Sequence, residues 1–210
     1  DTIGLNVFQS CSIHSKLVLF EFLFNKLSEL DATKRKLIFE IPCKQKRFRY
    51  RNFLQLATYA KSIDFHNFMW KCLLEIYDDK DELKKLIMSK DDDKNNYLHI
   101  LVAWSNQEII DFTLKIIKNN FIKHREIFES KGFYERNLVL KAADRAGNDV
   151  DNQKVLWNFL LEVYGNEFIK IFWNMVVFSA TYVFNLRLTK SDTSSYFKYK
   201  YDVNSDILYL

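Results

Sequence analysis

Residues that break helices are scarce in this chain. Its 210 residues include 4 glycines and a single proline, Pro42, whereas phenylalanine, tyrosine and tryptophan number 19, 11 and 4. Glycine and proline end helices, and glycine builds tight turns and phosphate-binding loops. With so few of them and so many large apolar side chains, the sequence predicts an all-α fold whose helices bury aromatic faces.

Cysteine and charge of one sign are also in short supply. Cys11, Cys43 and Cys72 form an odd set without Cys-x-x-Cys spacing, so we expect neither a disulfide framework nor a thiolate zinc site. A reducing intracellular compartment, most simply the cytoplasm, is therefore expected. Lysine and arginine exceed aspartate and glutamate by only 31 to 27, which excludes a general attraction to nucleic acid or membranes and leaves local patches.

Long hydrophobic runs are missing too. The longest, residues 171–184, contains Asn174 and is shorter than the ~18 to 20 residues of a membrane-spanning helix, so we expect a buried helix there and no transmembrane segment. The sequence begins without a methionine or a leader and ends within an apolar pattern. We therefore expect a segment of a longer intracellular protein.

A short pattern recurs along the chain: asparagine, any residue, an apolar residue, then glutamine, histidine or leucine. At spacings of 46, 44 and 41 residues, its copies start at Asn6, Asn52, Asn96 and Asn137. A phenylalanine follows 16 residues after the first three asparagines and 22 after the fourth, at Phe22, Phe68, Phe112 and Phe159. Two registers with one period predict structural repeats of 41 to 46 residues.

Each predicted repeat has a short helix A, a longer helix B and a further short helix. In the third repeat, helix A covers Leu98 to Ser105 and helix B covers Glu108 to Lys118. In the second, Asp79 is the expected N-cap of the further helix, with Glu82 at capping-box spacing. Its apolar face is predicted to consist of Leu83, Leu86 and Ile87.

Such a unit is too small to cover its own apolar stripe, so like faces should stack into a helical solenoid. About four repeats are expected, at residues 1–46, 47–90, 91–131 and 132–187. The polar segment 188–210 is either a linker or the start of a further repeat.

The openings of these repeats resemble ankyrin repeats. The first match consists of Asp1, Gly4, Asn6, Phe8, Gln9 and Cys11. The second consists of Asp93, Asn96, Leu98 and His99, and the third of Asn137, Ala142 and Ala143. Residues 81–99 are similar to the longer ankyrin variant, in which a short leucine-containing helix precedes an aspartate-rich turn. Armadillo or HEAT units, with a period of ~40–47 residues, are the structural alternative.

The resemblance implies a non-enzymatic scaffold that binds another protein through its connectors and the exposed face of helix A. It also implies that His99 is the histidine that hydrogen-bonds neighbouring turns. No metal-binding histidine pair, phosphate loop or nucleophile motif is present, so we expect no catalytic residue, no cofactor and no metal. Asp91 and Asp93 imitate the start of a calcium loop, but the glycine and the glutamate that such a loop requires are replaced by Asn96 and Val102.

The strongest local charge lies in residues 44–51, the basic connector, where basic and aromatic residues partly alternate. Alternation predicts an extended strand with arginine on one side. The candidate partner-binding residues are Lys44, Lys46, Arg47, Phe48, Arg49, Tyr50, Arg51, Asp91, Asp92 and Asp93. One hypothesis is a contact for an acidic peptide, for the phosphates of nucleic acid or for anionic lipid. The other is a solvated finger that faces the aspartates of the next repeat.

Overall fold

A computed structural model describes residues 4–121, 124–132 and 150–165, together with residues 138, 141 and 167. Within these residues the secondary structure is helical without any strand, which confirms the predicted all-α class. Predictions made for Asp1, Asn137, Ala142, Ala143 and residues 168–210 lie outside the described residues. The same holds for most of the predicted fourth repeat.

The helices begin and end close to the predicted positions. In chain order they are α1 (Val7–Ile13), α2 (Leu17–Leu27), α3 (Ala32–Glu40), a 3-10 helix (Lys46–Phe48), α4 (Phe53–Ala57), α5 (Ile63–Ile76), α6 (Lys80–Met88), α7 (Tyr97–Trp104), α8 (Gln107–Asn120), α9 (His124–Glu129) and α10 (Val150–Tyr164). The predicted helices A and B of the third repeat correspond to α7 and α8 and differ from them by one or two residues at each end. None of the described helices has the length and apolar character needed to cross a membrane.

Three successive groups of helices start in the same way. Asn6, Asn52 and Asn96 are the N-caps of α1, α4 and α7, and each side chain accepts a hydrogen bond from the backbone three residues on. Asparagine is a favoured N-cap because its short side chain satisfies a free backbone N–H. Across the groups, α1 packs against α4 and α4 against α7, while α2 packs against α5, α5 against α8 and α8 against α10.

The glutamine of the recurring pattern closes each of the first two groups. Asn6 and Gln9 donate from their side-chain amides to the carbonyls of Ile38 and Ile41, at 3.0 and 2.8 Å. In the next group the Asn52 amide donates to the carbonyl of Leu86 at 3.4 Å. The Gln55 amide donates to the carbonyl of Ser89 at 2.8 Å. In both groups, the asparagine and the glutamine of the pattern thus link the start of the group's first helix to the end of its third helix.

His99 occupies the place of Gln9 and Gln55 in the third group. Its Nδ1 lies 2.5 Å from the capping Asn96 Oδ1, and its side chain is buried. The imidazole packs so closely on Gly132 that a Cβ there would meet the ring at 2.7 Å. The pattern histidine therefore lies between the start of α7 and the segment that follows α9.

The core is centred on aromatic side chains shared between groups. Phe20 of α2 is fully buried, and its ring lies 5.3 Å from Phe65 and 5.5 Å from Phe53 in the second group. The predicted apolar face of α6 is buried as expected. Asp79 is the N-cap of α6 as predicted, but its carboxylate accepts from the backbone of Asp81 at 2.8 Å.

The prediction that Phe22, Phe68, Phe112 and Phe159 occupy equivalent repeat positions is wrong in part, because the four residues have different surroundings. Phe22 is 60% exposed, whereas Phe68 and Phe112 are partly buried against the core and Phe159 is only 3% exposed. Phe68 is covered because it packs on Phe24 of α2, at 6.0 Å between ring centroids. Among the described residues, α2 has no helix on the side where Phe22 lies.

Phe159 also lies one helical turn away from the expected position. The hydroxyls of Tyr77 and Tyr164 donate to carbonyls 41 and 39 residues earlier in the chain, so these two tyrosines are equivalent. Tyr77 lies nine residues after Phe68, whereas Tyr164 lies five residues after Phe159. The shift places Phe159 on the buried side of α10, against Phe128 at 5.2 Å.

Candidate functional site

The basic connector is a folded loop, so the predicted strand is wrong. Lys46–Phe48 forms a 3-10 helix, and Arg49 and Tyr50 follow in the left-handed conformation with φ of 53° each. The backbone of Cys43 donates to the carbonyl of Arg51 at 2.8 Å, which closes the loop on itself. Alternating residues face opposite ways only in extended backbone, and these internal hydrogen bonds prevent that geometry.

One arginine of the connector is buried in an ion pair. Arg51 Nε donates to Asp91 Oδ2 at 3.0 Å, and the side chains are 7% and 0% exposed. Asp91 also accepts at Oδ1 from the backbone of Asn95 at 2.9 Å, and the Arg51 guanidinium donates to the Tyr59 hydroxyl. Arg51 and Asp91 therefore join the connector to the aspartate-rich turn and are inaccessible to a partner.

A second arginine of the connector, Arg49, faces the same aspartate-rich turn but is closer to solvent. Arg49 lies 3.4 Å from Asp93 in a half-exposed ion pair, and its carbonyl accepts from the backbone of Asp92 at 3.1 Å. The structure therefore places the aspartate-rich turn against the connector, which is the arrangement of the second sequence hypothesis. Two of the five basic side chains of the connector are neutralised in this way.

The other basic side chains of the connector point to solvent. Lys44, Lys46 and Arg47 are exposed and have no carboxylate partner within the described residues. Arg47 is nevertheless held in place, because its Nε donates to Gln45 Oε1 at 2.6 Å and its guanidinium lies 4.6 Å from the centre of the Phe48 ring. One of the three available positive charges of the connector thus lies beside an aromatic ring.

An aromatic row extends from the connector across the ends of α4 and α7. It consists of Phe48, Tyr59 and Trp104, with ring centroids 6.1 and 5.7 Å apart, and Trp104 is 47% exposed. Sequence reasoning missed Tyr59 and Trp104. The signal was present, because each lies seven or eight residues after its capping asparagine, at the end of the first helix of its group.

A cavity of about 390 Å³ lies beside the aromatic row. Its walls come from α1, the residues before it, the connector and the end of α4. The lining residues are Leu5, Ser10, Ile13, His14, Arg47, Phe48 and Tyr59. The walls are thus mainly apolar, with one arginine and one histidine but no carboxylate.

Buried titratable groups elsewhere belong to the core. Burial raises the pKa of the Cys72 thiol to about 12 and also raises the pKa of Cys11, so neither is a thiolate at neutral pH. Burial lowers the pKa of His66 to about 4, which keeps this imidazole neutral. Among the residues that the structure describes, no three histidine, cysteine, aspartate or glutamate side chains are grouped closely enough to hold a metal ion.

Comparison with protein-family models, with curated proteins and with solved structures finds no match to this chain. Of the ten candidate partner-binding residues, the structure directs Arg51 and Asp91 inward and pairs Arg49 with Asp93. Arg47 and Phe48 line the cavity.

Proposed function

We propose that the chain is a protein-binding module of stacked ankyrin-like repeats, which binds another protein through the connector and the aromatic row. Three groups of three helices, each starting at a capping asparagine, support the repeat architecture. The pattern Asn-x-x-Gln/His stands where ankyrin repeats have Thr-Pro-Leu-His, which favours that family over armadillo or HEAT units. Stacked repeats present an extended surface, and their usual role is to bind other proteins.

The observation that carries this proposal is the exposure of the aromatic row beside unpaired cations. Within the row Trp104 is 47% exposed and Phe48 and Tyr59 are partly exposed, and Tyr50 of the connector is 43% exposed, although burial of such side chains is favourable. Tryptophan, tyrosine and arginine are the residue types that contribute most to protein–protein binding. A protein that covers this surface would bury them together.

Nucleic acid and anionic lipid are less well supported as ligands. Both are bound mainly through several simultaneous phosphate contacts. The ion pairs of Arg49 and Arg51 leave three basic residues of the connector for such contacts. The apolar walls of the adjacent cavity suit side chains of a protein better than phosphates.

Affinity capture with matched variants tests the proposal. The double variant Phe48→Ala/Trp104→Ala removes two rings of the aromatic row, whereas Phe22→Ala removes a more exposed ring on α2. Proteins that the wild-type chain captures from a cell extract should be lost from the double variant and retained by Phe22→Ala. Loss of central interface aromatics typically costs at least ~2 kcal/mol, or about 30-fold in affinity.

Two outcomes would contradict the proposal in different ways. A partner that binds the double variant as tightly as the wild type would show that the aromatic row is not the contact surface. Capture of no protein above the level of uncoated beads would argue against a protein-binding role altogether. Circular dichroism melting of each variant controls for misfolding, and a modest loss of stability is expected from Phe48, which packs against the buried Leu5, Cys43 and Leu56.

A further inference from the structure

The cavity beside the aromatic row is small and partly open to solvent. Its volume of about 390 Å³ lies near the lower end of the ~300–1,000 Å³ range of ligand pockets. Leu5, Ile13 and Phe48 contribute apolar side chains to its lining, and they belong to one hydrophobic cluster. One bulky apolar side chain of a partner fits the chemistry of these walls.

The charge at the rim of the cavity is positive. Arg47 is its one arginine, and the lining contains no carboxylate that could neutralise it. The Nε of Arg47 donates to Gln45 and its guanidinium carbon lies 4.6 Å from the centre of the Phe48 ring, while both Nη groups have no hydrogen bond within the described residues. A guanidinium with two unused Nη groups can form a bidentate bond to a carboxylate.

The shape of the surface favours an extended ligand. From the cavity, the aromatic row continues through Tyr59 to Trp104, over up to about 12 Å between the first and last ring centroids. Three or four residues of extended chain span this distance. Lys44 and Lys46 are exposed on the same connector and add positive charge without a carboxylate partner in the described part of the chain.

We infer that the cavity and the aromatic row bind a linear acidic segment of the partner protein. One apolar side chain of that segment enters the cavity, and an aspartate or glutamate next to it pairs with Arg47. The neighbouring residues of the segment cross Tyr59 and Trp104. This inference rests on the protein-binding function proposed above and specifies the chemistry of the partner.

Selection from random peptides tests the inference without knowledge of the partner. Twelve-residue peptides displayed on phage are selected on the immobilised full chain, after removal of those that bind the variant Arg47→Glu/Phe48→Ser. The enriched sequences should contain one large apolar residue flanked by an excess of aspartate and glutamate. A synthetic peptide with the enriched consensus then serves as the probe in fluorescence anisotropy.

Matched variants locate the bound peptide. Arg47→Ala and Phe48→Ala should each weaken its binding about tenfold or more, as expected for residues at the centre of an interface. The control variants Lys71→Ala and Phe22→Ala remove an exposed cation and an exposed ring elsewhere and should change the affinity less than twofold. Arg47→Lys keeps the charge but loses the planar guanidinium, so an intermediate affinity is expected.

The possible failures separate this inference from the function on which it rests. Enriched peptides that are not acidic, or that bind Arg47→Ala as well as the wild type, would overturn the inference and leave a protein-binding role in place. If neither peptides nor captured proteins bind, both the acidic-segment inference and the protein-binding function are refuted. Preferential binding of a 20-nucleotide oligo-dT or of phosphatidylserine vesicles, in competition with the peptide, would replace the acidic segment by a polyphosphate or lipid ligand.

Discussion

Neutralising Asp91 should destabilise the chain far more than neutralising either of its two acidic neighbours. Asp91→Asn keeps the size of the side chain but removes the charge that balances the buried Arg51 guanidinium, at an Nε–Oδ2 distance of 3.0 Å. Breaking a buried ion pair on one side costs ~3–5 kcal/mol, because the remaining charge stays desolvated. The asparagine retains an oxygen for the backbone N–H of Asn95, so we expect a value near the lower end, about 3 kcal/mol.

The neighbouring aspartates provide internal controls. Asp92 is exposed, and its neutralisation should change the free energy of unfolding by less than ~0.5 kcal/mol. Asp93 pairs with the half-exposed Arg49, and such pairs contribute ~0–1 kcal/mol. Urea denaturation followed by circular dichroism at pH 7 measures all three differences.

A double variant identifies the origin of the cost. Arg51→Met/Asp91→Asn removes both charges, so its loss of stability should be clearly smaller than the sum of the two single losses. An Asp91→Asn cost no larger than that of Asp92→Asn would refute the reasoning. Arg51 would then be free to serve as a contact for a partner, and the distinction between anchored and available arginines in the connector would be lost.

Three further predictions concern the core and the helix starts, and denaturation measures each. Phe20→Ala should cost ~3–5 kcal/mol because Phe20 is fully buried, whereas Phe22→Ala, at a 60% exposed position two residues away, should cost under ~0.5 kcal/mol. The pKa of His66 is lowered to about 4 from an ordinary 6.5, so the unfolded chain binds this proton first. The free energy of unfolding should therefore fall as the pH drops from 6.5 to 4, by up to about 3 kcal/mol, and a His66→Gln variant should lack this component. Asn52→Ala removes an N-cap and the bonds that close its group, and should cost about 2–3 kcal/mol, whereas the exposed Asn67→Ala should cost under ~0.5 kcal/mol.

The helix starts were predictable from sequence because they depend on local interactions. A capping asparagine bonds the backbone three residues away, so Asn6, Asn52 and Asn96 mark helix starts whatever the rest of the chain does. The apolar face of α6 is local in the same sense, since residues three and four apart lie on one side of a helix. These features can therefore be predicted from a single sequence.

The connector and the phenylalanine register were not predictable in this way. Whether Arg49 faces solvent or an aspartate depends on Asp93, 44 residues further along the chain. Whether Phe22 is buried depends on a helix that must lie beside α2, which periodicity within α2 does not reveal. The aromatic row needs Tyr59 and Trp104 from different groups to meet in space. Packing between groups decides each of these features.

The two kinds of arginine in the connector have complementary roles. Arg49 and Tyr50 adopt a left-handed backbone that costs about 1–2 kcal/mol for each residue other than glycine. Such strain persists only where surrounding contacts fix it, and the Arg51–Asp91 pair and the bond from Asp92 to the Arg49 carbonyl are contacts of that kind. The buried arginine thus holds the loop that presents Arg47 and Phe48. Because contacts within the chain itself fix the loop, binding there need not offset the entropy of folding it, which favours recognition of a short segment by few contacts.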